Sequence, residues 1–162
     1  MDLKAPHTTS RYEALLQLLS TADVIWNVSR LFFQEWDLSP SQFNVLNLLE
    51  SNPEGLSQTD LGRQLITHRS NVTGLVDRLE KRGLVRRKEA TDDRRAYRVV
   101  LTRKGSKLLR RIFPRYYQKA DHVWNGVSGG QICDLLTALD HIARNAADVA
   151  KKLPGNEKKR SA

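Results

Sequence analysis

One cysteine, Cys133, is all that this chain contains. No disulfide can close within it, and the expected compartment is a reducing one, the cytoplasm. No apolar run approaches the roughly 20 residues that a membrane-spanning helix needs, so no membrane partner is expected. The first residues, MDLKAPHTTSRY, lack the apolar core of a secretory signal. Also missing are a glycine-rich phosphate loop, a nucleophile motif and a spaced cluster of metal ligands. Asp121-His122 and Asp140-His141 are adjacent pairs, which diverge on a helix and form no dyad. The four histidines, His7, His68, His122 and His141, show no ligand spacing. An enzyme is the least supported class, and neither a cofactor nor a metal is expected. Internal repeats are absent too, and 162 residues suit one domain, or two that share a core.

Negative charge is scarce in one region only. Residues 78–119 hold 16 Lys+Arg against four acids (Glu80, Glu89, Asp92 and Asp93), a local balance of +12. Residues 1–77 balance at −4 and residues 120–162 at +1, so almost all of the net +9 sits in the middle of the chain. Such a cluster suits the phosphates of duplex DNA. A membrane surface fits less well, because the bases do not lie along one amphipathic helix with exposed aromatics.

The middle of the chain has the organisation that this charge would serve. After a weakly held arm over residues 1–10, apolar positions from Leu15 to Trp36 recur at helical spacing. Ser39-Pro40-Ser41-Gln42 is a capping box with proline at the first helical position, and Asn52-Pro53-Glu54-Gly55 ends that second helix. Ser57 caps a short third helix and Thr67 a fourth, which Gly83 stops. Leu84–Glu89 and Tyr97–Thr102 read as two strands. A basic helix follows to about Trp124, and the capping box Ser128-Gly129-Gly130-Gln131 opens a last one to about Leu153. The expected order is α-α-α-α-β-β-α-α, mainly α with a small β-hairpin wing. A winged helix-turn-helix (37–102) lies between an N-terminal arm and helix (1–36) and C-terminal helices (103–153). A disordered basic tail (154–162) completes the chain. The terminal helices carry more apolar surface than a wing module of about 90 residues needs. They are expected to dimerise across a two-fold axis; the alternative is a monomer that buries them.

On a helical wheel the fourth helix turns Val72, Leu75, Val76 and Leu79 to one side. Ser70, Asn71, Thr73, Gly74, Asp77, Arg78 and Lys81 fall on the other. Short polar side chains and a glycine let a helix lie deep in the major groove, where Asn and Arg contact adenine and guanine edges. His68 and Arg69, at the helix start, are placed for phosphates. Asp77 either accepts from a cytosine or pairs with Arg78 or Lys81. At the hairpin tip, Asp92-Asp93-Arg94-Arg95 can hold an arginine extended for a narrow minor groove, or the Asp–Arg pair only stabilises the turn. Arg86, Arg87, Lys88, Arg98, Arg103 and Lys104 offer further cations to phosphates. The bland alternative is a solvated amphipathic face. The preceding capped helix and the basic hairpin favour double-stranded DNA as the partner. A nonspecific architectural DNA binder remains the alternative, although the polar face of Ser70, Asn71 and Thr73 would not be needed for phosphates alone.

Two segments resemble the MarR (multiple antibiotic resistance regulator) family of winged-helix transcription regulators. HRSNVTGLVDRLEKRGLV is similar to that family's recognition helix and its exit into the wing. Asp93-x-Arg95, then Leu101-Thr102 and Lys104-Gly105, is similar to its wing signature. The likeness covers about residues 11–150. It implies a homodimer that binds a pseudo-palindromic operator, as a repressor, and is released by a small aromatic or phenolic effector. By motif match Arg95 is the minor-groove arginine and Asp93 its positioning partner. The family's ligand position implies Trp26, Arg30, Phe33 and Tyr116, with Arg30 facing a carboxylate; core packing is the alternative for the aromatics and a surface ion pair for Arg30. Peroxide-sensing members carry a cysteine in the first helix. This chain has none there, so Cys133 is expected to be a buried structural residue.

Overall fold

The computed structural model describes residues 10–65, 72–89 and 97–153. Its elements run α1 (Arg11–Gln34), α2 (Pro40–Glu50), β1 (Leu56–Ser57), α3 (Gln58–Gln64), α4 (Val72–Lys81), β2 (Val85–Glu89), β3 (Tyr97–Leu101), α5 (Arg103–Val123) and α6 (Gly129–Lys152). The fold is a winged helix flanked by long helices, as the sequence implies. Two compact units divide the chain, one ending at Phe113 and the other beginning at Pro114, a proline inside α5.

Local signals set the helix starts. Ser39 and Gln42 form a reciprocal capping box at α2, and Ser128 and Gln131 form another at α6. A third, Ser10 with Glu13, starts α1. The side chain of Ser57 accepts from the Asp60 N–H at α3. At the other end of α4, Gly83 takes φ +69°, the left-handed conformation that ends a helix without a Cβ penalty. Asp37 ends α1 in the same region of φ (+52°), where a short polar residue is tolerated.

The sheet has three strands, in the order β1-β3-β2, rather than the two expected. The extra strand, β1, pairs Leu56 with Val99 and Ser57 with Arg98. Two residues are too few to show a strand period, and the partner lies some 40 positions away in sequence. The hairpin proper runs from Val85↔Leu101 at its base to Glu89↔Tyr97 at its far end.

The first unit has a closed core. Leu46, Leu49, Leu61, Val76, Leu79, Val85, Val99, Leu109 and Ile112 are almost wholly buried. Phe33 stacks on Phe43 with centroids 4.3 Å apart, and Phe113 meets Phe43 edge-on. α5 joins this core closely: a Cβ on Gly105 would stand 2.3 Å from the Leu84 carbonyl oxygen, so only glycine fits there. Most of α1 contributes nothing to the core. Leu15, Leu16, Leu19, Val24, Ile25, Val28 and Leu31 are exposed and only Phe33 is buried.

In the second unit α6 buries no residue at all. Leu135, Leu136, Ile142 and Val149 are exposed, with Leu136 at 60%. Cys133 is exposed as well, which corrects the expected buried cysteine. At 100° per residue it falls with Thr137, Asp140 and Arg144, off the apolar stripe. Among the described residues no helix is long and apolar enough to cross a membrane.

Candidate nucleic-acid interface

Helix α4 buries Val72, Leu75, Val76 and Leu79, the side that the wheel assigns to the core. Its opposite side is turned outward: Thr73 and Arg78 are exposed, and Gly74 and Asp77 are half-buried. The Thr73 hydroxyl donates to Oε1 of Gln58 at 2.8 Å, which ties the start of α3 to α4. His68, Arg69, Ser70 and Asn71 lie outside the described residues, as do Thr67 and the tip residues Asp92, Asp93, Arg94 and Arg95.

Asp77 faces neither Arg78 nor Lys81. Its partner is Arg87 on β2, whose guanidinium donates to Asp77 through Nη2 and to Glu80 through Nη1. The Arg87 backbone N–H donates to Glu80 Oε1 at 2.7 Å. Hydrogen bonding to Asp77, with a further bond to Glu80, raises the Arg87 pKa above its ordinary value although burial opposes it. Two corrections follow. The carboxylate of Asp77 braces the wing, and Arg87 is an internal cation rather than one offered to phosphates. Both partners of Arg87 sit three residues apart on α4, so they share one face and can grip one fork. The sequence shows those residues, but only the return of β2 over α4 brings them together.

Arg82 is engaged in a second tie that the sequence reading missed. Its guanidinium donates to the carbonyls of Trp36 and Asp37 and pairs with the Asp37 carboxylate. The Thr102 hydroxyl donates toward the carbonyls of Gly83 (2.7 Å) and Leu84 (3.0 Å) and accepts from the Gly105 N–H. Helix α4, the hairpin base and α5 are thereby joined. What is left outward is cationic: Arg78, Lys81, Arg86 and Lys88 are exposed, and none pairs with a carboxylate among the described residues. Arg98 is half-buried and Arg103 and Lys104 are exposed.

The residues suggested for a ligand divide differently. Phe33 is buried, at 2% exposure and stacked on Phe43, as in the core-packing alternative. Trp26 is half-buried and Arg30 exposed on α1. Tyr116, on α5, is half-buried, with its ring 6.1 Å from that of Tyr117.

A family model described as MarR family matches residues 36–96, from the end of α1 through the hairpin. The uncharacterized HTH-type transcriptional regulator YfiV of Bacillus subtilis strain 168 is 39% identical over 88 residues, 52% of this chain and 54% of YfiV. The HTH-type transcriptional regulator MhqR of the same organism is 30% identical over 116 residues, 71% of this chain and 79% of MhqR. The chain belongs to the MarR family. The match spans about half the length of YfiV and more than three quarters of MhqR. Among solved MarR-like folds, the repressor CouR bound to a 23-mer DNA duplex superposes with a TM-score of 0.70 at 29% identity, over 88% of this chain and 99% of CouR. CouR from Rhodococcus jostii RHA1 bound to p-coumaroyl-CoA gives 0.74 at 23% identity, over 85% and 96%.

Proposed function

We propose that the protein is a sequence-specific DNA-binding regulator, acting as a homodimeric repressor on a pseudo-palindromic operator. The observation that carries this reading is the sorting of charge around α4. Arg82 and Arg87 are held internally by carbonyls and carboxylates, whereas Arg78, Lys81, Arg86 and Lys88 point outward without an acidic partner among the described residues. Cations left unpaired beside a polar helix face suit a phosphate backbone. Ser70, Asn71 and Thr73 would read base edges in the major groove. Arg95, positioned by Asp93 and next to Arg94, would enter the minor groove. His68 and Arg69 would contact phosphates. The DNA-bound state of CouR, a relative in fold, supports duplex DNA as the partner.

The dimer reading rests on the apolar faces of α1 and α6, which the chain leaves exposed. In such a dimer two copies of α4 enter successive major grooves about 34 Å apart. A small aromatic or phenolic acid is the proposed effector, in line with the acyl-CoA bound by CouR. Trp26 and Arg30 on α1 are its candidate contacts.

Fluorescence anisotropy tests the reading: the full chain is titrated against DNA from its own upstream region and against a scrambled duplex, at two salt concentrations. Tight binding to the native duplex alone, persisting at the higher salt, is the expected result. Equal and steeply salt-sensitive binding to both duplexes would overturn it in favour of an architectural DNA binder.

A further inference from the structure

A second concentration of positive charge lies at the base of the wing, apart from the outward face of α4. A hollow of about 460 Å3 opens there. Arg103, Lys104, Lys107 and Arg111 line it from one face of α5, and Arg82 joins them from the end of α4. Its apolar lining is Leu84, which is buried, and Leu108, which is half-buried.

Two features indicate an anionic occupant. First, the rim is not neutralised by the protein. Arg82 has the Asp37 carboxylate at 3.5 Å, but among the described residues Arg103, Lys104, Lys107 and Arg111 pair with none. Lys104 Nζ donates to the Arg82 carbonyl at 2.7 Å, and the Arg111 guanidinium lies 5.4 Å from the Trp36 ring centroid, so two of these cations are anchored beside the hollow. The Glu50 carboxylate accepts from the Ser106 hydroxyl on the same helix and forms no ion pair with these cations among the described residues. Second, Arg103 and Lys104 occupy the first turn of α5, which contains no acid. The positive end of the helix dipole disfavours cations there and favours an anion.

We propose that this hollow binds a small phosphorylated ligand. Two or more phosphoryl groups would sit on the cationic rim, and a compact apolar or aromatic part against Leu84 and Leu108. The volume is in the range of small-molecule sites, and arginine forks match phosphate oxygens. The phosphates of bound DNA offer the same chemistry. The hollow, however, adjoins the base of the hairpin, and five strand residues, about 16 Å, separate that base from the far end.

Isothermal titration of the full chain without DNA tests the site, with inorganic tripolyphosphate and ATP as probes in about 0.15 M salt. The variants are Lys107→Glu, Lys107→Gln and Arg110→Glu. Arg110 is exposed on the same helix but does not line the hollow, so it controls for net charge. The expected result is tighter binding of ATP than of tripolyphosphate. Lys107→Glu should weaken both about tenfold, Lys107→Gln less, and Arg110→Glu under about threefold. Thermal melts establish that each variant is folded. No binding by the wild type, or equal losses in Lys107→Glu and Arg110→Glu, would overturn the proposal. A salt titration against the upstream duplex separates the two phosphate sources. A slope flattened by about one unit in Lys107→Glu but not in Arg110→Glu would assign the hollow to the DNA backbone instead. Because ligand binding is read without DNA, its failure is distinct from failure of the regulator reading.

Discussion

Helices α4 and α6 carry the same kind of apolar stripe and end in opposite surroundings. α4 buries Val72, Leu75, Val76 and Leu79 in the core of the first unit, whereas α6 buries nothing. Amphipathicity alone therefore does not say where a stripe is satisfied. An isolated chain has no reason to keep Leu135, Leu136, Ile142 and Val149 in water, since burying the part of each that is still exposed would contribute roughly 1 kcal/mol. The contrast separates what stabilises the winged helix from what a second copy would supply.

The largest effect expected is on the buried side of that contrast. Leu79→Ala should cost about 2–5 kcal/mol, because the side chain is fully buried and the cavity cannot fill. Urea unfolding measures it, and a loss under about 1 kcal/mol would mean that α4 is not anchored as described. Leu136→Lys should leave the winged helix folded by circular dichroism but halve the mass in light scattering at micromolar concentration. An unchanged mass would place the stripe outside the subunit interface.

A smaller effect sharpens the same comparison among charges. Arg87→Ala removes the fork and leaves Asp77 and Glu80 facing each other, half-buried, on α4. Stability should fall by about 1–3 kcal/mol in thermal denaturation. Its exposed neighbour gives the least change: Arg86→Ala should keep stability within about 0.5 kcal/mol. That variant should instead lower the salt slope of duplex binding by about 0.9. If Arg87→Ala were the substitution that changed the slope without loss of stability, the two arginines would have exchanged roles.

Elements with a local cause were legible in the sequence. The capping boxes at Ser39 and Ser128, the stop at Gly83 and the strand limits within a residue all follow from nearest neighbours. The capping box at Ser10 is just as local. It was masked because the Thr8-Thr9-Ser10 run reads as an arm. What escaped depends on pairs joined by the return of the chain rather than by a local motif: β1 with β3, Arg87 with two acids of α4, and Arg82 with the end of α1. At the candidate interface the face of α4 was legible, but the division of cations into internal and outward sets was not. The position of Cys133 could have been read from the wheel and was not.

The grip of Asp77 and Glu80 on Arg87 also limits how this module can be re-engineered or can diverge. A recognition helix transplanted from a relative would need both carboxylates, or a partner change at position 87, to keep the hairpin at its angle. The three positions form one structural unit, so exposed neighbours on α4 such as Thr73 and Arg78 can be exchanged while the brace is left alone.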